Sequence, residues 1–369
     1  MGQLRKLIIQ IPCLDEEDQL PVSLGALPRQ VEGVDVVEWM IIDDGSSDRT
    51  VEVALQHGVD HVVRFPQNRG LAAAFQAGLD AALKLGADVI VNTDADNQYD
   101  AGAIPALVAP IVDGDADMVV GDRDVRSVDE FSPLKKRLQV AGSWVVRQAS
   151  AAEVNDATSG FRAYSRDAAL QLTVVSPYTY TIESIIQAGR TGTAIANVPV
   201  DTNDKMRDSR LFASTWGYIR KNAGVITRVF AAYEPIKFFG AIAAVFFVGS
   251  AIGFLPFLSD WILNGDRSGH VQSIVVASVL AVAGVQVAVL AVLADMMRNQ
   301  RVVSQRILER VRRLEIHEGV PINGLVESPS PSSDTAGESL ADVLPQWDDH
   351  AVPRPASDPS GLVADGRAD

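Results

Sequence analysis

Cysteine is almost missing from this chain: Cys13 is the only one in 369 residues. No internal disulfide is therefore available, and a Cys/His zinc site has no second thiolate to draw on. A basic surplus is lacking too. Lys and Arg number 32 against 47 Asp and Glu, a formal net charge of −15, and this argues against nucleic acid as a partner. The histidines are few, and His57 and His61 flank what reads as a surface turn. No internal repeat is visible. Nor does the start read as a signal peptide, since Met1-Gly2-Gln3-Leu4-Arg5-Lys6 runs straight into a strand-like segment and Pro12. With the lone cysteine, this predicts a cytosolic N-terminal region.

Apolar residues, by contrast, are plentiful at 47%. Leu7–Ile11, Val36–Ile42, His61–Phe65, Asp88–Asn92 and Met118–Val120 read as short buried strands. Between them, Gln19–Gln30, Thr50–His57, Leu71–Leu85 and Ile104–Val112 read as helices. This alternation predicts an α/β domain with a mainly parallel sheet, whose ligands bind at the carboxyl ends of the strands. Charged motifs follow those strand ends in turn, which points to one site.

The second half changes character. Phe238–Leu258 is an uncharged run of about 21 residues, enough to cross a bilayer core of ~30 Å, and Val271–Ala294 is another. The loop between them, Ser259–His270, holds one Arg and no Lys. Arg220, Lys221, Arg228 and Lys237 precede the pair, and Arg298, Arg301, Arg306, Arg310, Arg312 and Arg313 follow it. The positive-inside rule then predicts a hairpin in the cytoplasmic membrane with both termini cytosolic. The expected organisation is a catalytic domain over 1–210, interfacial helices over 211–235, two transmembrane helices within 236–297 (about 238–258 and 271–294), a charged helix over 298–325, and a tail over 326–369. The tail has nine acidic and two basic residues among Pro, Ser and Gly, and is expected to be disordered.

The most informative motif is Val89-Ile90-Val91-Asn92-Thr93-Asp94-Ala95-Asp96-Asn97-Gln98. In an extended backbone Asp94 and Asp96 project to one side, roughly 6–7 Å apart. They can grip a hard cation, Mg²⁺ or Mn²⁺, with the Gln98 carbonyl as a neutral third ligand, and such ions usually accompany a diphosphate. A solvated acidic turn is the plain alternative. Earlier come Ile11-Pro12-Cys13-Leu14-Asp15-Glu16-Glu17 and Ile41-Ile42-Asp43-Asp44-Gly45-Ser46-Ser47-Asp48-Arg49-Thr50. Their acids can accept hydrogen bonds from a nucleobase or ribose, or can cap helices. Asn68-Arg69-Gly70 opens a helix where backbone could approach a ligand.

Pro12…Glu16-Glu17, Asp43-Asp44-Gly45-Ser46-x-Asp48-x-Thr50, Asn68-x-Gly70 and Asp94-Ala95-Asp96-x-Gln98 occur in the order seen in family 2 glycosyltransferases of the GT-A fold, which the chain resembles over roughly residues 5–235. It looks most like the branch that moves a sugar from a UDP- or GDP-sugar onto polyprenyl phosphate (undecaprenyl or dolichyl), which also carries membrane helices and an SGFR segment, matched by Ser159-Gly160-Phe161-Arg162. The resemblance implies a GT-A domain followed by a transmembrane hairpin. It implies a nucleotide site at Pro12, Leu14, Glu16, Asp43, Asp44, Gly70, Asp94 and Ala95, and a metal at Asp94, Asp96 and Gln98. Two departures stand out. Leu14-Asp15 replaces the usual Tyr-Asn, placing an extra charge near the nucleotide, and Arg207-Asp208-Ser209-Arg210 replaces an Arg followed by Gly-x-Ser.

Both substrates of such a reaction are anions. Arg123, Arg137, Arg207 and Arg210 are the candidates for a phosphate clamp, since guanidinium matches phosphate bidentately. Phe131–Leu134 reads as an acceptor loop near the membrane. An ionised phosphate acceptor needs no strong base, so inversion by direct displacement is expected, with Asp96, Arg123 and Arg137 catalytic. Were the acceptor a hydroxyl, Asp156 or Glu183 would be the base. A non-catalytic membrane scaffold with a residual nucleotide site is the alternative outside enzymology. Homo-oligomerisation is left open.

Overall fold

The computed structural model describes residues 5–123, 154–174, 180–203, 227, 231, 233–264, 270–322 and 324–327. Arg137, Arg207, Arg210, the Phe131–Leu134 loop, most of the 211–235 segment and the tail from 328 onward lie outside them.

Eight strands form one sheet: β1 (Lys6–Cys13), β2 (Val36–Asp43), β3 (His61–Arg64), β4 (Val89–Asn92), β5 (Met118–Asp122), β6 (Arg162–Ser165), β7 (Ile195–Pro199) and β8 (Leu325–Glu327). Their spatial order is β7-β5-β6-β4-β1-β2-β3-β8. The pairs β1–β2, β1–β4, β2–β3 and β5–β7 are parallel, whereas β6 runs antiparallel between β4 and β5 and β8 runs antiparallel to β3. The expected α/β domain with a mainly parallel sheet is thus observed.

β1 sits at the centre and is apolar nearly throughout, as a strand covered on both faces must be. Ile8 points into one core with Met40, Ile42 and Ile90. Leu7, Ile9 and Ile11 point into the other with Ile41, Val89 and Val91. The first core is closed by α3 (Leu71–Lys84), α5 (Arg166–Gln171) and α6 (Tyr180–Thr191), and the second by α1 (Leu20–Ala26), α2 (Thr50–Gln56) and α4 (Ile104–Val112). From β1 the chain moves outward through β2 and β3, then returns to lay β4 on the opposite side of β1. The crevice at the carboxyl ends of β1 and β4 is therefore a topological switch point, where sheets of this kind bind ligands.

Two long apolar helices follow: α7 (Pro235–Asn264) and α8 (Val271–His317). Both are long and apolar enough to cross a membrane. They pack closely through small residues. A Cβ added to Gly253 would lie 3.0 Å from Ala277, and one added to Gly284 would lie 3.0 Å from Phe247. The Ser250 hydroxyl donates to the Ala277 carbonyl at 2.8 Å, and Ser273 donates to the Gly253 carbonyl.

Three expectations are corrected. The helix expected over Gln19–Gln30 stops at Ala26, because Leu27 is extended before Pro28. The charged helix is no separate element: with no Gly or Pro between Val285 and Glu318, α8 runs unbroken from the second apolar run to His317. Val326 and Glu327, assigned to a disordered tail, instead pair with Val62 and His61 as part of β8.

Candidate active site

The loops after β1 and β2 are stitched together by their own acids. Asp15 has a left-handed backbone (φ 52°), and its carboxylate accepts from the Ser47 N–H at 2.8 Å and the Ser47 hydroxyl at 3.1 Å. Asn and Asp both tolerate this backbone, and the charge at Asp15 serves a loop contact. The Glu16 N–H donates to the Thr50 hydroxyl at 2.9 Å and the Glu17 N–H to Asp48 at 3.1 Å. Asp48 also accepts from the Thr50 N–H at 3.0 Å, satisfying the first N–H of α2, whose N-cap position is Arg49.

Asp43 and Asp44 are buried at the end of β2. Asp43 accepts from the Ser46 N–H at 2.9 Å and pairs with the Arg64 guanidinium at 3.0 Å. Asp44 accepts from the N–H groups of Arg69 at 2.7 Å and Gly70 at 2.9 Å, one on each oxygen. It thereby ties the β2 turn to the N-terminus of α3, where Gly70 takes φ 92°. Burial nonetheless keeps the Asp44 pKa raised, the two N–H donors offsetting only part of it. At Gly45 (φ 79°) a Cβ would strike the Gln67–Asn68 backbone at 2.6–2.9 Å, so the turn requires glycine.

The acids after β4 behave otherwise. β4 ends at Asn92, and Asp94 and Asp96 lie on a turn, not on the extended backbone the spacing suggested. Asn97 follows in a left-handed conformation (φ 52°). Asp96 accepts only from the Gln98 N–H, at 3.1 Å, and Asp94 takes no hydrogen bond among the described residues. Burial, and next the Asp96 carboxylate, push the Asp94 pKa up to about 7, while Arg123 and Arg162 pull the other way. The Gln98 backbone carbonyl accepts from the Asn203 N–H at 3.0 Å.

Around Asp94 stands a polar wall that sequence reading left out. Asn92 donates to the Gly160 carbonyl at 2.9 Å and the Tyr180 hydroxyl at 3.1 Å, and accepts from Gln10 at 2.9 Å. Tyr99 stacks on Phe161, and its hydroxyl accepts from the Gly160 N–H at 3.1 Å. A Cβ on Gly160 would meet Tyr180 at 2.7 Å and Asp94 at 3.2 Å. A buried Asn at the last position of an apolar strand was the available clue. Arg162 of the SGFR segment is fully buried and donates to the Thr181 and Ala157 carbonyls and the Ser184 hydroxyl, at 2.7–3.0 Å. It ties β6 to α6.

Arg123, just past β5, donates to Asp156 at 2.6 Å and to Thr158 at 3.0 Å. Asp156 is 1% exposed and also accepts from the Thr158 N–H and hydroxyl and the Ser159 N–H. Burial alone would raise its pKa, but the Arg123 guanidinium and these donors hold it below the usual carboxylate range. The two side chains thus form an ion pair that fixes the Arg123 guanidinium. Glu183 is buried on α6, where Tyr233 donates to it at 3.5 Å. Pro12 and Leu14 flank the β1 exit, and the Ala95 carbonyl accepts from Ser23 at 2.5 Å, anchoring the Asp94 turn to α1.

A carboxylate pair, with Asp94 desolvated, beside a fixed guanidinium suits a divalent cation and a phosphate-bearing ligand. Comparison with known proteins agrees on the class. The model for Glycosyl transferase family 2 matches residues 8–172. An uncharacterised glycosyltransferase of Mycobacterium bovis is 31% identical over 193 residues, 52% of this chain and 83% of that protein. An undecaprenyl-phosphate mannosyltransferase of Micrococcus luteus is 29% identical over 205 residues, 53% of this chain and 82% of the relative. A polyprenol monophosphomannose synthase of Mycolicibacterium smegmatis is 26% identical over 212 residues, 54% and 78% of the two chains. Among solved structures, glucosyl-3-phosphoglycerate synthase from Mycobacterium tuberculosis, in complex with Mn²⁺, UDP-glucose and phosphoglyceric acid, overlays with a TM-score of 0.49 at 24% identity, covering 62% of this chain and 79% of that one. The protein is a glycosyltransferase. It belongs to glycosyl transferase family 2.

Proposed function

We propose that the protein transfers a sugar, with inversion, from a nucleoside-diphosphate sugar to a polyprenyl phosphate at the cytosolic face of a membrane. The observation that carries this reading is the Asp94–Asp96 turn at the switch-point crevice, where Asp94 is free of intramolecular hydrogen bonds among the described residues while the acids of the neighbouring loops are bonded. The names of the relatives support the acceptor, and α7 and α8 support a site held at a bilayer.

Asp94, Asp96 and Gln98 would hold Mg²⁺ or Mn²⁺, and the bound ion would offset charge on the leaving diphosphate. The other roles fall to the chain. The bonded loops after β1 and β2 present Pro12, Leu14 and Glu16 beside the rigid Asp43–Asp44 turn as the nucleoside surface, with Gly70 and Ala95 at its edges. Arg123, locked by Asp156 and Thr158, aims its remaining donors at phosphate. Arg137, Arg207 and Arg210 complete the clamp in this reading. The acceptor oxygen is already an anion, so positioning and charge stabilisation suffice. A hydroxyl acceptor would need a base, and Asp156, held ionised by Arg123, is poorly suited to take a proton.

The test uses the purified protein in detergent with undecaprenyl or dolichyl phosphate and labelled UDP- and GDP-sugars, with Mg²⁺ or Mn²⁺. A metal-dependent product in the organic phase, abolished by Asp96→Ala, is expected. Label that stays aqueous with every donor, despite donor binding, would overturn the acceptor.

A further inference from the structure

Helix α8 carries two misfits, one inside the apolar span and one outside it. Inside, Gln286 lies on a solvent- or lipid-facing side of the helix, and its amide has no hydrogen-bond partner among the described residues. By helix rise it stands ~22 Å along the axis from Val271 and ~13 Å short of Asp295, well within the apolar segment. A primary amide brings two donors and an acceptor, and leaving them unmet in hydrocarbon is costly. Outside, beyond Arg298 and past the uncharged run, the apolar side chains of Val303, Ile307 and Leu314 are exposed among charged neighbours.

Both misfits fall on one stripe. Val282, Gln286, Val289, Leu293, Val303 and Ile307 keep an alternating spacing of three and four residues, with Met296 and Gln300 bridging the gap. This 3.5-residue period is the signature of helices that wind about one another. All the apolar members are more than half exposed. The stripe is not the seam with α7. That seam carries the same period on the opposite side of α8, through Ala277, Ala281, Gly284, Ala288 and Ala291, and is small and close-packed. Within the hairpin, Ser250 and Ser273 find carbonyls across this seam. Gln286 is turned away from it.

We propose that α8 is the contact between two copies of this chain, paired in parallel along this stripe and held in register by Gln286 against Gln286 of the partner subunit. Membrane topology selects the occupant. A second copy inserts in the same direction, so it presents the same amide at the same depth and the same apolar residues at the same height above the bilayer. Each Gln286 amide then donates to and accepts from its twin, which supplies the interhelical glue lipid cannot. A single polar position within such a seam fixes orientation and register. Above the membrane, Val303, Ile307 and Leu314 leave water against their own counterparts. Arg310 also falls on the stripe, where its aliphatic stem can flank a seam with the charge at the rim. The pairing is independent of donor and acceptor, so it stands apart from the reading of the active site.

The experiment takes the intact protein in mild detergent. Its mass, measured by native mass spectrometry or by light scattering on a column, is expected at twice the 39.5 kDa of one chain. Gln286→Leu and the double change Ile307→Glu with Leu314→Glu touch only exposed positions and are expected to shift the population to a single chain. In a Cys13→Ala background, Gln286→Cys and Ile307→Cys should cross-link into disulfide dimers on mild oxidation, and the off-stripe Val292→Cys and Leu308→Cys should not. A single chain at every protein concentration would overturn the proposal. So would a dimer indifferent to the stripe variants, or cross-links as strong at the off-stripe positions.

Discussion

Asp43 and Asp44 at the end of β2, and Asp94 and Asp96 after β4, are the same residue type at the same edge of one sheet. The first two, with Asp15 and Asp48 beside them, are engaged by protein donors: backbone N–H groups, hydroxyls and one guanidinium. Among the described residues, the second two share one N–H between them. A carboxylate whose oxygens are filled from within its own chain has little left for a ligand. One kept beside a like charge and out of bulk water gains most when a cation arrives. Acid content in a motif therefore separates into acids that build the crevice and acids that wait in it.

That division can be broken by substitution. The largest expected effect is on turnover from Asp96→Ala: a loss of roughly a thousandfold, the several kcal/mol a coordinated cation supplies, with the folded state intact by circular dichroism. A comparable loss that came with an unfolded protein would erase the distinction. Asp44→Ala should act on stability instead, since it strands the N–H groups of Arg69 and Gly70; about 2–4 kcal/mol is expected in denaturant unfolding. Asp156→Asn should lower turnover by about tenfold while leaving donor binding in place, as a positioning residue does.

The same variant sharpens the pH behaviour. The Asp156 pKa is depressed in the fold, so its ion pair stabilises fully above the ordinary carboxylate pKa of about 4 and is lost as pH falls through the lowered native value. Wild type should therefore lose more stability in acid than Asp156→Asn, measured by thermal melts across pH 2–6. The smallest effect belongs to Asp15→Asn. Asn tolerates the left-handed backbone and still offers Ser47 an oxygen, so a change within about 0.5 kcal/mol and little effect on rate are expected. A large effect on nucleotide affinity would return Asp15 to the ligand.

Strand and helix alternation, the acidic turns and the two apolar runs were legible because each is a local pattern of period or spacing. What stayed hidden depends on partners distant in sequence. Asp156 has no visible partner until Arg123, 33 residues earlier, is placed against it. Asn92 looks like one more strand residue until Gly160 and Tyr180 converge on its amide. Arg162, in a motif associated with function, proves to be a core tie, and Asp43 is anchored by Arg64 from the neighbouring strand. The continuity of α8 was legible in the lack of any helix breaker, but the change from apolar to charged residues masked it.

The C-terminal end of α8 is not loose. Arg312 is buried and donates to the Leu170 and Leu172 carbonyls while pairing with Asp80 at 3.2 Å. Lys84 meets Glu315 at 3.4 Å, and β8 then joins the sheet edge at β3. A rod of 47 residues, ~70 Å long by helix rise, is thus clamped to the catalytic domain at one end and rooted in the apolar hairpin at the other. Such a rod is a gauge: its length sets the height of the crevice above the bilayer and its phase sets the bearing. Seven residues inserted near Ser304 would lift the domain by ~10 Å with little rotation, whereas two would swing it by about 200°. The reach of the active site to a lipid headgroup is in that sense a count of residues.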